Sequence, residues 1–103
     1  MVIEWLKFRI SPPSRDIFIR LDNEIWTPFL AQFPGFLGKE VWISPNFPDE
    51  ITLIIRWESR EQWKKILQND LETIEQKFAQ QMQNHPYEII EAKEYQIRKF
   101  SNS

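Results

Sequence analysis

The order of hydrophobic patterns along the chain constrains its fold more than any other feature. Alternating apolar and polar residues, which are typical of strands, occupy residues 2–10, 36–44, 51–57 and 87–100. Two intervening segments instead carry apolar residues at spacings of three or four, as in amphipathic helices. The resulting order, strand–helix–strand–strand–helix–strand, predicts an α+β, ferredoxin-like fold. In that fold a four-stranded antiparallel sheet carries two helices on one face.

Prolines and capping residues predict where the helices begin and end. Ser14 offers an N-cap for the first helix, and Thr27-Pro28 predicts a kink before a short piece ending at Phe33. Ser59 to Gln62 reads as a capping box for the second helix, with a further break expected at Asn69-Asp70. The proline-rich stretch between the second and third strands, residues 45–50, is predicted to be a loop.

Two helices can cover only one face of such a sheet, yet both faces carry apolar residues. The even-numbered residues 2–8 of the first strand would face the helices. Ile3, Trp5 and Ile54 would then lie on the uncovered face, where a second copy of the chain is the economical way to bury them. We therefore expect a homodimer. Alternation does not decide which face of the second strand turns toward the helices.

Composition narrows the class of protein. The 103 residues suit a single domain, 1–103, whose last three residues we expect to be frayed. The net charge is −2 with no basic stripe, which argues against nucleic-acid binding. No cysteine is present, and no apolar run is long enough for a membrane span or a signal peptide. We expect a cytoplasmic protein with no membrane partner.

Two short motifs resemble the antibiotic biosynthesis monooxygenase superfamily. They are residues 34–38 (PGFLG), which open the second strand, and residues 57–63 (WESREQW), which join the third strand to the second helix. The resemblance implies a dimeric α/β barrel with a pocket between the sheet and the helices of each subunit. The chain as a whole looks most similar to a cyanobacterial branch of that superfamily.

The resemblance also implies two kinds of chemistry. Quinone-forming members oxidise a phenol with molecular oxygen and no cofactor, aided by polar residues and a Trp. Haem-degrading members use an Asn on the first strand, a Trp ending the third strand and a His on the second helix. Trp57 matches the Trp, whereas Glu4 stands at the Asn position and Gln76 at the His position. We therefore expect neither haem nor any other cofactor.

Glu4 and Trp57 are the candidate catalytic residues, and each has two interpretations. A carboxylate at position 4 would be desolvated among apolar neighbours, which makes a general base that works near neutral pH. Alternatively, Glu4 lies at the sheet edge or in the dimer interface and pairs structurally with an arginine such as Arg56 or Arg98. Trp57 either stacks on a flat ligand or simply continues the apolar face of its strand.

Other side chains are expected to line the ligand pocket, although packing is the favoured alternative for Trp26, Phe29 and Trp63. The expected lining residues are Leu6, Trp26, Phe29, Trp63 and Gln76. The single histidine, His85, precedes a proline in a loop and is interpreted as solvated, so we predict no metal site.

Two functions of different classes fit these features. The first is a small-molecule pocket protein that oxidises a phenolic or quinol substrate with O2. The second is a dimeric ligand-binding or stress-associated module that keeps the fold without the chemistry.

Overall fold

Four antiparallel strands form one sheet in the order β2-β3-β1-β4. Their bounds are Val2–Ile10 for β1, Phe36–Ser44 for β2, Phe47–Trp57 for β3 and Tyr87–Gln96 for β4. This computed structural model describes residues 1–98, so the predicted extension of the last strand to Phe100 and the frayed residues 101–103 lie outside the described residues. The predicted α+β, ferredoxin-like fold is confirmed.

The loop predicted over residues 45–50 is wrong, because β3 already begins at Phe47. Only Pro45 and Asn46 turn the chain, and the Asn46 N–H closes this turn by donating to Ser44 Oγ at 3.2 Å. A register irregularity between Trp42 and Ser44 accommodates the hairpin end, where a proline in the strand is tolerated.

The first predicted helix consists of three segments. A 3₁₀ turn at Pro12–Ser14 leads into α1 (Arg15–Leu21), then a π-helical segment (Asp22–Trp26) and α2 (Thr27–Ala31). The expected kink at Thr27-Pro28 is therefore a π-helical turn on the N-terminal side of that dipeptide. Pro28 has no N–H to offer the carbonyl four residues earlier, which favours a longer hydrogen-bonded turn.

Two details at the ends of this helical region differ from prediction. Its last helical residue is Ala31 rather than Phe33. Ser14 does not cap α1, because its Oγ forms a hydrogen bond with His85 Nδ1 at 2.7 Å instead.

The second predicted helix is interrupted earlier than expected. α3 (Arg60–Trp63) and α4 (Gln68–Met82) are separated by residues 64–67, not by a break at Asn69-Asp70. The capping interaction at the start of α3 is confirmed, since Ser59 Oγ accepts from the Gln62 N–H at 3.2 Å. Asp70 lies in the first turn of α4, where a negative charge complements the helix dipole.

The main core lies between the inner face of the sheet and the helices. The inner residues of β3 are all buried, namely Ile51, Leu53, Ile55 and Trp57. They pack with Phe18, Leu21, Ile25 and Leu30 of the first helical region in two adjoining clusters. The full burial of side chains of this size supplies the main stabilisation of the fold.

The outer face of the sheet exposes less apolar surface than the sequence predicts. Ile3 and Ile54, expected to need a partner, are only 8% and 2% exposed within the single chain. Lys7 and Lys93 lie over the ring of Trp5, with Nζ 5.4 and 5.0 Å from its centroid. Neighbouring side chains therefore cover the isoleucines of this face within one chain. Large apolar side chains that remain exposed on it include the aromatic residues Trp42 and Tyr95.

Gly35 gives a test of how tightly the entry to β2 is built. Its φ is +92°, and an added Cβ would lie 2.5 Å from Gln62 Oε1 and 2.7 Å from Gln62 Cβ. At Gly38, φ is +148° but nothing lies within 4 Å of an added Cβ. We expect Gly38→Ala to cost about 1 kcal/mol through backbone strain and Gly35→Ala about 3 kcal/mol, because overpacking is added. Urea denaturation of the two variants measures the difference, and equal losses would contradict it.

Candidate functional site

A cavity of about 850 Å³ lies between the inner face of the sheet and the helices. This volume is in the range of small-molecule sites. Its deeper wall is apolar, with Leu6, Phe18, Leu53 and Ile55 among its members. The α4 side contributes polar residues, which are Gln68, Glu72, Glu75 and Gln76. An apolar cavity with a few polar groups is suited to holding and orienting an organic ligand.

Most of the residues predicted for the pocket do line this cavity. Leu6, Trp26, Trp63 and Gln76 contribute to its wall, as does Glu4. Phe29 and Trp57 are not among the lining residues.

Phe29 and Trp57 are packing residues of the adjoining core. Phe29 lies between Trp26 and Phe33, with ring centroids 6.0 and 5.2 Å away. Trp57 is fully buried and packs edge-on against Phe36 at 5.7 Å. The structure therefore favours the core interpretation of Trp57 over ligand stacking.

Glu4 projects from the middle of the sheet into the cavity. It pairs with Ile55 on β3, and burial raises the pKa of its carboxyl group above the ordinary value. The indole N–H of Trp57 and the charges of Lys64 and Lys39 oppose this rise in pKa but do not cancel it. No arginine pairs with Glu4 among the ion pairs of residues 1–98, so the predicted pairing with Arg56 or Arg98 is not formed.

The contact between Glu4 and Trp57 is electrostatic rather than a well-formed hydrogen bond. Trp57 Nε1 is buried and has no acceptor within hydrogen-bond geometry in the described part of the chain. It nevertheless lies near enough to the Glu4 carboxylate to lower its pKa. Hydrogen bonds weaken steeply with poor alignment, so the contact is mainly electrostatic.

A second charged group in the cavity wall, an ion pair, was not anticipated from the sequence. Lys39 Nζ lies 2.6 Å from Asp22 Oδ1, and the two side chains are only 4% and 2% exposed. Burial lowers the pKa of Lys39 and raises the pKa of Asp22, while their mutual attraction opposes both changes. Each of the two charges therefore depends on the other to remain ionised in this buried position.

A backbone irregularity turns Lys39 inward, whereas Asp22 follows the regular spacing of its helix. A register shift in β2 between Phe36 and Gly38 places both Phe36 and Lys39 opposite inner-face residues of β3. Asp22 opens the π-helical segment. One signal was available in the sequence: Asp22 stands four residues after Phe18, within the apolar stripe of the helix.

Lys64, which also lines the cavity, contacts an aromatic ring. Lys64 Nζ lies 4.0 Å from the centroid of the Trp63 ring, in cation–π contact. The positive charge of Lys64 also lowers the pKa of the Glu4 carboxyl group.

His85 and the acidic residues do not form a metal site in the described residues. No group of three or more His, Cys, Asp or Glu side chains converges there. His85 is half-buried and held by Ser14, which corrects its interpretation as a solvated residue. None of the helices described in residues 1–98 is long and apolar enough to cross a membrane.

Fold and cavity together define an α+β domain with a cavity of small-molecule size between its sheet and its helices. Residues 1–71 match the model of the antibiotic biosynthesis monooxygenase family, which covers most of the chain. The chain belongs to this family. None of the curated proteins matches it by sequence.

Solved structures show the same fold at low sequence identity. SnoaB, a cofactor-independent oxygenase from Streptomyces nogalater, is 14% identical, with 96% of this chain and 94% of SnoaB covered at a TM-score of 0.69. A protein from Chloroflexus aurantiacus assigned to the same family is 23% identical, with 98% and 96% covered at a TM-score of 0.68. A dimeric ferredoxin-like protein from an uncultured marine organism is 13% identical, with both chains fully covered at a TM-score of 0.75.

The raised pKa of Glu4 predicts how stability depends on pH. The folded state binds the Glu4 proton more tightly than the unfolded state does, so ionisation of Glu4 destabilises the fold. This penalty is absent below the unfolded pKa and fully present above the folded one. We expect Glu4→Gln to stabilise the protein by about 1 kcal/mol at pH 8 and to lose this advantage toward about pH 4. Denaturant titrations across this range test it, and a pH-independent difference would contradict it.

Proposed function

We propose that this protein oxidises a phenol or quinol with molecular oxygen in the cavity beneath its helices, without a cofactor. The observation that carries the proposal is the Glu4 carboxylate, which faces an apolar cavity and has a raised pKa. Such a carboxylate is a stronger base than one in water. The cofactor-independent oxygenase activity of the similarly folded SnoaB supports the reaction class.

The reaction begins with removal of the phenolic proton by Glu4. The phenolate ring is electron-rich, so its para carbon forms a carbon–oxygen bond with O2, and the resulting peroxide takes the proton back from Glu4 to give a hydroperoxide. Loss of the ring proton and cleavage of the O–O bond then give a quinone and water. One oxygen atom enters the product, the other leaves as water, and O2 accepts the four electrons that the phenol loses. A quinol already carries its para oxygen, so it loses two electrons and O2 leaves as hydrogen peroxide. The apolar wall excludes water, which strengthens the electrostatic effects in the site.

A non-catalytic ligand-binding module is the second candidate. The burial of Trp57 favours it, because a residue expected to touch the ligand packs instead in the core. In that case the cavity would bind an aromatic molecule without consuming oxygen. The two functions differ in oxygen uptake and agree in ligand binding.

We also propose that the protein is a homodimer joined through the outer face of the sheet. Trp42 and Tyr95 lie on that face and are each 49% exposed. Large half-exposed aromatics are typical of interface anchors. The similarly folded marine protein, which is dimeric, supports this arrangement. Cytoplasmic location, the absence of a nucleic-acid partner and the cyanobacterial branch stay predictions.

The function predicts a specific effect of removing the base. We expect Glu4→Gln to lower oxygen uptake with a responsive phenol or hydroquinone by at least about 100-fold, the usual contribution of a general base. In the wild type, activity should rise with pH through the raised pKa of Glu4 and then level off. An oxygen electrode, with quinone absorbance as a second signal, measures both.

Glu94→Gln is the matched control for this experiment. Glu94 pairs with Glu4 across β1 and β4, but it is exposed and bound to Arg60 at 2.8 Å. It does not line the cavity, so its loss should leave activity unchanged. Full activity of Glu4→Gln would contradict the role of Glu4 as the base and favour a structural role. Tight binding of phenols without oxygen uptake in the wild type would favour the ligand-binding module.

The dimer predicts the mass of the protein in solution. We expect sedimentation equilibrium at low micromolar concentration to give twice the 12.6 kDa chain mass. Trp42→Ala together with Tyr95→Ala should weaken the dimer at least about tenfold, because anchor residues carry most of the binding energy. Leu67→Ala is the control, since Leu67 is exposed but lies on the helical side. A stable, well-folded monomer at all concentrations would contradict the dimer.

A further inference from the structure

Lys39 has hydrogen-bonding capacity that the described protein does not use. An ammonium group carries three N–H donors, and the described residues provide one acceptor, Asp22 Oδ1 at 2.6 Å. The side chain is almost fully buried and lines the cavity. Buried donors are nearly always satisfied, so the remaining N–H groups of Lys39 are available to an acceptor on a molecule in the cavity.

The sheet places this lysine opposite the proposed base. Glu4 and Lys39 both pair with Ile55, one from each side, so the three residues form a row across the inner face. Two strand spacings separate the Cα atoms of the two charged residues by about 10 Å. A phenol lying over Ile55 would therefore have the carboxylate at one side and the ammonium at the other.

We propose that Lys39 holds the ionised oxygen of the substrate, so that the site selects phenols in their phenolate form, and that Asp22 positions Lys39 for this role. The inference rests on the proposed function, because it names how that site recognises its substrate. Lys39 would touch the substrate oxygen, whereas Asp22 acts only through Lys39.

The charges in the cavity are consistent with this role. Before proton transfer, ionised Glu4, ionised Asp22 and charged Lys39 together carry a charge of −1, and a neutral phenol adds nothing. The other charged lining residues, Lys64, Glu72 and Glu75, do not change in the transfer. After the phenolic proton moves to Glu4, the negative charge lies on the substrate oxygen beside Lys39, and the net charge is still −1. The transfer moves a charge within the cavity without adding one, so no new desolvation penalty arises. The O–H bond of the phenol breaks, and an O–H bond forms on Glu4.

The probe for this inference is para-nitrophenol, whose phenolate absorbs visible light whereas the neutral phenol does not. At about one pH unit below the pKa of the free phenol, we expect wild-type protein to increase the phenolate band on binding. Lys39→Met should weaken phenolate binding at least about tenfold, as expected for loss of a hydrogen bond to a charged group. Lys65→Met is the matched control, because Lys65 is exposed and lies outside the cavity.

Lys39→Met leaves Asp22 buried without its partner and can therefore unfold the protein. The double variant Asp22→Asn with Lys39→Met removes both charges and keeps the test informative. It should fold, as circular dichroism and thermal melting would show, and it should lack the phenolate preference.

The positioning role of Asp22 has its own signature in the pH profile. Lys39 binds phenolate only while protonated, so affinity is lost as pH rises through its pKa. Asp22 and Glu4 both raise that pKa, and Lys64 is the other charge near Glu4. Asp22→Asn should therefore move the alkaline loss of phenolate affinity to lower pH, while leaving affinity below that point largely intact. An unchanged profile would overturn the role of Asp22.

The outcomes separate this inference from the proposed function. Phenolate selection that depends on Lys39, without oxygen uptake, would support the inference and contradict the oxygenase. Oxygen uptake with unchanged phenolate binding in Lys39→Met would support the oxygenase and overturn the inference. Wild-type protein that binds only neutral para-nitrophenol, or does not bind it, would also overturn the inference.

Discussion

The ion pair between Lys39 and Asp22 is 2.6 Å long and almost fully buried. A buried ion pair of this kind is often no more stabilising than apolar packing, and removing one partner commonly costs about 3–5 kcal/mol. Its position in the wall of a cavity therefore calls for an explanation beyond stability. The pair keeps a positive charge on the same side of the sheet as Glu4, beside the apolar part of the cavity wall. The proposed chemistry depends on that arrangement.

The fold was predictable because its signals are periodic. Alternation gave all four strands, and the helical stripe through Phe18 and Leu21 gave the first helical region. Only half of the ion pair was predictable by the same means. Asp22 follows the helical stripe four residues after Phe18, but Lys39 faces inward because of a bulge in β2. That departure from regular geometry leaves no periodic trace in the sequence.

In the candidate site too, alternation predicted the position of a residue better than its contacts. Glu4 could be identified because regular alternation in β1 places it among apolar residues. Trp57 follows the same alternation, but the resemblance to the family gave it a ligand contact that core packing removes. On the outer face, alternation correctly grouped Ile3 with Ile54, yet it could not show that neighbouring side chains cover them. Periodicity reports which face a residue occupies, whereas exposure depends on the size and conformation of its neighbours.

The raised pKa of Glu4 is the central physical claim, because the base, the charge transfer and the pH dependence all follow from it. Carbon-detected NMR of carboxyl-labelled glutamate, titrated over acid to neutral pH, measures this pKa directly, and the spectrum of Glu4→Gln assigns the resonance. We expect the Glu4 signal to titrate above the exposed glutamates of the same protein, because burial disfavours its charged form. A Glu4 midpoint equal to or below that of the exposed glutamates would contradict the proposed base.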